Sequence, residues 1–342
     1  SWAVKSENLT VPIGAFIYNL YSAYQQAYYM VEDATQPVLE QTVEDQDAAT
    51  WMKDFALRQT KSILVIDDMM RDMGLSLTED ELQQVSDQTD SFWGSISTAM
   101  TEYGVAKSSF NLAYADYYTK FTKVFDATYG PGGTEEVSDE DVKDYYLTNY
   151  KAFSYVMAPI IDMTTGASLS DDELSQLDTE FKGYASQIND GSMTIQDAAD
   201  AYKASSGDDT VQVYTDAADF SGETASYPLE FGTELDTAEN GKASVIDGQG
   251  LYKVLLGGRH QRDRRCISDE TSRTSILQTM KQEEFQANRR RSGQLMRCST
   301  RVRDRLHQPD MFVQETSSVA ASTDETSAGG SGWPGEASSE AA

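Results

Sequence analysis

From residue 10 to residue 151 the apolar positions recur at helical spacing. Phe16, Ile17, Leu20, Tyr21, Tyr24 and Tyr28 fall on one face of a 3.6-residue period. The spacing predicts a first helix over 11–31, with Thr10 as N-cap and Pro12 in the first turn, where a missing N–H costs nothing. A second helix is expected over 47–73, carrying Trp51, Phe55, Ile63, Ile66 and Met70, with Gly74 as its stop. Thr78 and Glu81 make a capping box for a third, which runs to Tyr103 before Gly104. A fourth continues to about Thr128 with Phe110, Tyr114, Tyr117, Tyr118, Phe121 and Phe125 along it. Tyr129-Gly130-Pro131-Gly132-Gly133 breaks the period and reads as a hinge. A short helix over 138–150 follows, opening at Ser138 and Asp141.

The period then changes. Residues 153–161 are rich in aromatic and β-branched side chains and read as a strand. Ser170 and Glu173 cap a helix to about Asn189, and Thr194 opens a shorter one to Ala204. Thr210–Tyr214 alternates as a strand, and 242–256 reads as two strands around the turn Asp247-Gly248-Gln249-Gly250. Strand, two helices, strand and terminal hairpin make a small α+β domain.

Charge changes the picture beyond residue 258. The whole chain carries a net charge of −29. Yet residues 259–307 hold 12 of the 14 Arg, both His and both Cys. Two readings of this segment stand. It is a basic stretch that docks on the acidic body or an anionic partner, or it records a local shift of reading frame in the gene's translation. Within it, 268–287 reads as an amphipathic helix with Ile276, Leu277, Met280 and Phe285, whereas the flanks 258–266 and 288–307 do not look packed. Neither reading assigns a function to Cys266, Cys298, His260 or His307. Residues 314–342 are a Ser/Thr/Ala/Gly/Glu tail, too poor in apolar residues to pack.

The acidic balance excludes nucleic acid as a partner, because phosphate contacts need a Lys/Arg surface. No stretch approaches the ~20 apolar residues needed to span a bilayer. The chain opens on Ser1 rather than Met, which fits removal of a signal segment. There is no nucleotide-binding loop, CxxC or HExxH motif, and Asp67-Asp68 and Asp208-Asp209 lack EF-hand spacing. Neither metal nor cofactor is expected.

Several stretches together carry a family resemblance. Val137-Ser138-Asp139-Glu140-Asp141-Val142-Lys143-Asp144-Tyr145-Tyr146, the strand at 153–161, Ile188-Asn189-Asp190-Gly191 through Tyr202 and Ser205, and Asn240–Ile246 with Gly250–Val254 resemble bacterial extracytoplasmic foldases of the PrsA and SurA kind. The resemblance implies an α+β fold: a mostly helical SurA-like chaperone module (1–151), a parvulin-like domain (152–258), a C-terminal helix returning to the module (259–313) and a tail (314–342). It also implies an extracytoplasmic location in the cell envelope, lipid-anchored or secreted, with any membrane attachment only through a lipid anchor preceding Ser1. The chain departs from the family's catalytic pattern. Active parvulins carry a His on the first strand and another on the last, but no His precedes His260 here, and the family's glycine-rich pocket segment is replaced by a divergent stretch around Phe220–Phe231.

Three functions follow from the resemblance. The leading one is a chaperone binding unfolded or extended polypeptides, its parvulin-like domain weakly active or inactive. The others are an active peptidyl-prolyl cis-trans isomerase and a surface lipoprotein with a single partner. Isomerisation needs an apolar proline pocket and a donor near the amide, for which Tyr155, Met157, Phe231 and Tyr252 are candidates; the same four residues equally fit an ordinary sheet core. Holding clients needs exposed aromatic surface, for which Tyr21, Tyr24, Tyr28, Trp51, Trp93, Tyr114, Tyr117 and Tyr118 are candidates, with Tyr18 and Phe92 beside them. An aromatic stripe at helical spacing is also what a buried core looks like.

Overall fold

The computed structural model describes residues 1–162, 165–220, 227–237, 239, 241–248, 250–260, 270–302 and 309–313. The chain is α+β and divides into two compact units. The helical unit is Ser1–Ser138 with the described residues from Leu277 on; the sheet unit is Asp139–Ile276. Among the described residues no helix is long and apolar enough to cross a membrane.

The helical unit begins with β1 (Trp2–Lys5) and β2 (Thr10–Pro12), paired antiparallel. Thr10 and Pro12 therefore lie in a strand, not in the expected first helical turn. β2 is an edge strand of the sheet, where a residue without an N–H is tolerated. α1 (Ile13–Met30) starts directly after Pro12, with no side-chain cap. It sends Phe16, Leu20, Ala23 and Ala27 into the core. A two-residue hairpin, β3 (Thr42–Val43) and β4 (Gln46–Asp47), leads into α2 (Ala48–Asp72), whose Asp47 cap accepts from Thr50 N at 3.0 Å. α1 and α2 are joined inside the core by Asn19 Nδ2 donating to Thr60 Oγ1 at 3.0 Å, both residues buried.

α3 (Glu79–Glu102) opens at the full Thr78/Glu81 capping box. α4 (Lys107–Asn111), a π-turn (Leu112–Asp116) and α5 (Tyr117–Tyr129) follow in succession. Gly14 lets α1 approach α4, since a Cβ there would meet Ser109 Cβ at 2.8 Å. α10 (Glu270–Leu295) contributes Leu277 and Phe285 to this unit, and the Phe285 ring meets Phe121, Phe125 and Tyr129 edge-on.

The expectation that 288–307 is unpacked is overturned at Asn288, Arg289 and 299–301, while most of the rest of its described part is exposed. Arg289 Nη1 donates to the Tyr117 hydroxyl at 3.1 Å, and its guanidinium lies 4.8 Å from the Phe121 ring centre. Asn288 donates to the Tyr129 hydroxyl at 3.2 Å. β9 (Ser299–Thr300) completes the sheet in the order β2-β1-β9, and Arg301 stacks over Trp2. Arginine packs here through its flat guanidinium on aromatic faces, so an Arg-rich composition did not exclude packing. Cys298 is exposed; Cys266, His307 and the tail from 314 lie outside the described residues.

The sheet unit opens with α6 (Asp139–Asn149) and β5 (Tyr150–Pro159). α7 (Asp171–Asp190) and α8 (Ile195–Ser206) each begin at a capping box, Ser170/Glu173 and Thr194/Asp197. β6 covers Tyr214–Asp219, starting where the expected strand over 210–214 was to end. The cause is local: Asp208 turns the chain by accepting from Thr210 N at 2.8 Å. α9 (Leu229–Thr237), β7 (Ser244–Gly248) and β8 (Tyr252–His260) complete the unit. The antiparallel order is β6-β5-β8-β7, and β7 pairs with β8 across the turn that the sequence marks. β8 runs through Arg259 and His260, so the flank expected to be unpacked begins within a strand.

Alternation along the strands sorts the core into two faces. Val156, Ala158 and Leu255 point to the face covered by α7 and α8, with Phe181 and Ala198. Phe153, Tyr155, Val254 and Leu256 point to the other face, covered by α9 through Phe231 and Leu235. The β5–β8 register shifts between Phe153 and Tyr155, a bulge that places Gly257 and Gly258 opposite Ser154. Gly258 takes φ +77°, and a Cβ there would land on the Lys242 carbonyl oxygen.

Candidate polypeptide-binding surface

The helical unit leaves part of its aromatic complement outside the core. At the C-terminal end of α1, Tyr28 is 43% exposed and Tyr29 64%, with Met30 exposed beside them. A second group is built where α3 meets α4, the π-turn and α5. Phe92 is 40% exposed and stacks on Phe110 at 5.6 Å and against Tyr114 at 5.1 Å. Tyr114 in turn stacks on Phe110 and meets Tyr118, which is 58% exposed. Tyr114 belongs to the π-turn, a rare local widening of a helix that re-aims the side chains it carries.

The candidate residues separate cleanly. Trp51 and Tyr117 are buried, the former stacked on Phe55 at 5.2 Å and donating its indole N–H to Glu44 at 3.0 Å. Trp93, Tyr21, Tyr24 and Tyr114 are half-buried against the core, while Tyr28 and Tyr118 face solvent. Sequence reasoning passed over Tyr29, Met30, Tyr103 and Phe312. Tyr29 follows Tyr28 just off the counted face, and Phe312 lies beyond any periodic segment.

The phenols of Tyr18, Tyr21 and Tyr24, packed against the core, stay neutral at ordinary pH. Burial pushes the hydroxyls of Tyr18, Tyr21 and Tyr24 above their usual range. They present flat apolar faces and a hydroxyl tip, suited to half-wet contact with a chain of varied sequence. Among the described residues no group of three or more His, Cys, Asp or Glu converges as a metal site.

The four candidate proline-pocket residues come together in one cluster of the sheet unit. There Tyr155 and Phe231 are fully buried, Tyr252 is buried and Met157 packs against them. The Tyr155 ring lies 5.4 Å from Phe231 and 5.2 Å from Tyr214. Tyr227 closes the cluster, its hydroxyl donating to Asp216 Oδ2 at 2.6 Å. Burial, then the Asp216 carboxylate, hold the Tyr227 phenol far above its usual range. These described side chains pack together as an apolar cluster on the face of the sheet that α9 covers. Residues 221–226 of the divergent stretch lie outside the described residues.

The architecture is that of a two-unit α+β protein with a helical module and a small four-stranded antiparallel domain. Among solved structures it is similar to the foldase protein PrsA from Lactococcus lactis, at 11% identity over 88% of this chain and 95% of that one, TM-score 0.37. It is also similar to foldase protein PrsA from Streptococcus pneumoniae (12%, 86% and 93%, TM-score 0.37) and PrsA from Bacillus subtilis (13%, 80% and 95%, TM-score 0.26). No protein-family model and no curated protein matches the chain. Scores this low leave the functional reading to the residues themselves.

Proposed function

We propose that the chain is a protein-folding chaperone whose helical unit holds unfolded or extended polypeptide segments. The observation that carries this reading is two groups of exposed rings, Tyr28 with Tyr29 and Phe92 with Tyr118, left facing water. Exposed aromatic side chains grouped into a patch, unlike ones scattered singly, mark a site of contact with a partner. The net charge of −29 supports basic, unfolded clients and keeps a protein with such a surface dispersed. Work outside the cytoplasm is part of the proposal and rests on the resemblance of 137–146 and 240–254.

The sheet unit serves as a scaffold or second client site with little or no prolyl isomerase activity. The burial of Tyr155 and Phe231 supports this, since a rate gain requires the twisted amide to reach the pocket. The test is aggregation of chemically unfolded, reduced lysozyme, a basic client, followed by light scattering. Sub-stoichiometric protein is expected to suppress scattering. Tyr118→Ala combined with Tyr29→Ala should weaken suppression several-fold with unchanged circular dichroism, and added salt should weaken it further. Full suppression by the double variant would refute the reading.

A further inference from the structure

Phe312 reaches the helical unit from the far end of the described chain. Pro309–Phe312 forms one 3-10 turn in which Pro309 and Phe312 are both buried. Three tyrosine rings enclose the Phe312 ring. Tyr103 meets it edge-on at 4.8 Å and 89°, Tyr21 at 5.6 Å and 74°, and Tyr24 lies tilted at 5.9 Å. Edge-to-face contact on several sides is how an aromatic side chain is recognised by shape and quadrupole together.

The way the turn is held differs from the rest of the unit. Among the described residues no hydrogen bond joins 309–313 to other parts of the unit; the Val313 amide donates inside the turn, to Asp310 O at 3.1 Å. Among the described residues the attachment is by side-chain burial, chiefly of Phe312, with Met311 packed against the same core. Upstream, at residues 299–301, the chain is fixed independently, because β9 pairs with β1 and the Arg301 amide donates to Ala3 O at 2.8 Å. Release of the turn therefore leaves the sheet intact. The socket walls are also secured from behind, since α1 is anchored by Phe16, Leu20, Ala23 and Ala27. The tyrosine row of α1 continues past the socket to Tyr28, which is exposed.

We propose that the Tyr21–Tyr24–Tyr103 socket is a receptor for an aromatic side chain of unfolded polypeptide, and that Pro309–Phe312 is its resident, displaceable occupant. This rests on reading the helical unit as a polypeptide holder. A tethered turn competes at an effective concentration of about millimolar. It caps an otherwise sticky socket at rest and yields to a client that also engages Tyr28 and Tyr29. The preferred client segment has a Phe three residues after a Pro, as the resident turn does.

The experiment uses the full chain and a fluorescein-labelled peptide of residues 307–314, followed by fluorescence anisotropy. Phe312→Ala is expected to bind the peptide at least tenfold more tightly than the unaltered chain does. A peptide with Ala in place of its Phe should bind neither. Phe312→Leu, which keeps an apolar side chain, gives an intermediate gain and carries the test if the Ala variant fails to fold. Equal affinity of the unaltered and substituted chains for the peptide, with native circular dichroism, overturns the proposal and makes the turn a fixed joint. The lysozyme assay separates the two readings. Peptide exchange without client holding overturns the holding function alone, and client holding without exchange overturns the socket alone.

Discussion

Tyr28, Tyr29, Phe92 and Tyr118 of the helical unit face solvent, whereas Phe153, Tyr155, Tyr227 and Phe231 of the sheet unit are sealed between a β-sheet and α9. The residue types are the same and the environments opposite. A helix turns each side chain by about 100°, so an aromatic-rich stripe soon becomes wider than the face a neighbour can cover. On α1 the small and aliphatic side chains Leu20, Ala23 and Ala27 take the core, and Tyr21, Tyr24 and Tyr28 fall towards the rim. A strand has only two faces, and here helices cover both, so every aromatic in the middle of β5 is buried. An aromatic count therefore says little about function until the covering element is known.

The contrast predicts unequal responses to substitution. The largest effect is expected at Phe231, fully buried among Phe153, Tyr155 and Tyr227. Phe231→Ala should cost about 3–5 kcal/mol in urea unfolding of the sheet unit, against about 0.5–1 kcal/mol for Tyr118→Ala, which loses only partial ring contacts. Equal costs would erase the distinction between the units. Next comes Gly258→Ala, where a left-handed backbone costs about 1–2 kcal/mol and overlap with the Lys242 carbonyl about 1–3 more. An unchanged unfolding midpoint would mean that the bulge relaxes freely and that the sheet is less rigid than the helical surface.

The smallest effect is a pH dependence. Tyr227 has a folded-state pKa raised above its usual value near 10, so the stability it contributes is fully present below pH 10. Above that the unfolded state loses its phenolic proton while the folded state keeps it, and stability falls as pH rises. Tyr129, pushed up to about 12 mainly by burial, adds a similar loss between about 10 and 12 in the helical unit. Tyr227→Phe should flatten the alkaline decline of the sheet unit alone, followed by its near-ultraviolet dichroism. An identical decline in the variant would remove Tyr227 as the cause.

Much of the fold was legible because local rules act alone. The capping boxes at Thr78/Glu81 and Ser170/Glu173 and the hairpin closing on Gly250 are decided within a few residues. β1, β2 and β9 were not legible, since two- to four-residue strands drawn from opposite ends of the chain carry no period. The candidate surface was legible in composition and not in exposure. Tyr117 and Tyr118 are neighbours on one helix, yet the first is buried under Arg289 and the second faces water. Arg289 lies 171 or more positions further along the chain, so no local pattern decides which tyrosine it covers. Phe312 was invisible for the same reason, its socket being made of α1 and the end of α3.

The most direct test of the central claim is where an unfolded client touches the chain. Reduced lysozyme carrying a photoactivatable benzophenone would be cross-linked to the full protein and the adducts mapped by mass spectrometry. The account predicts cross-links concentrated at residues 28–30, 92 and 118, with few in 150–260. Adducts centred on the sheet unit, or scattered without preference, would contradict it.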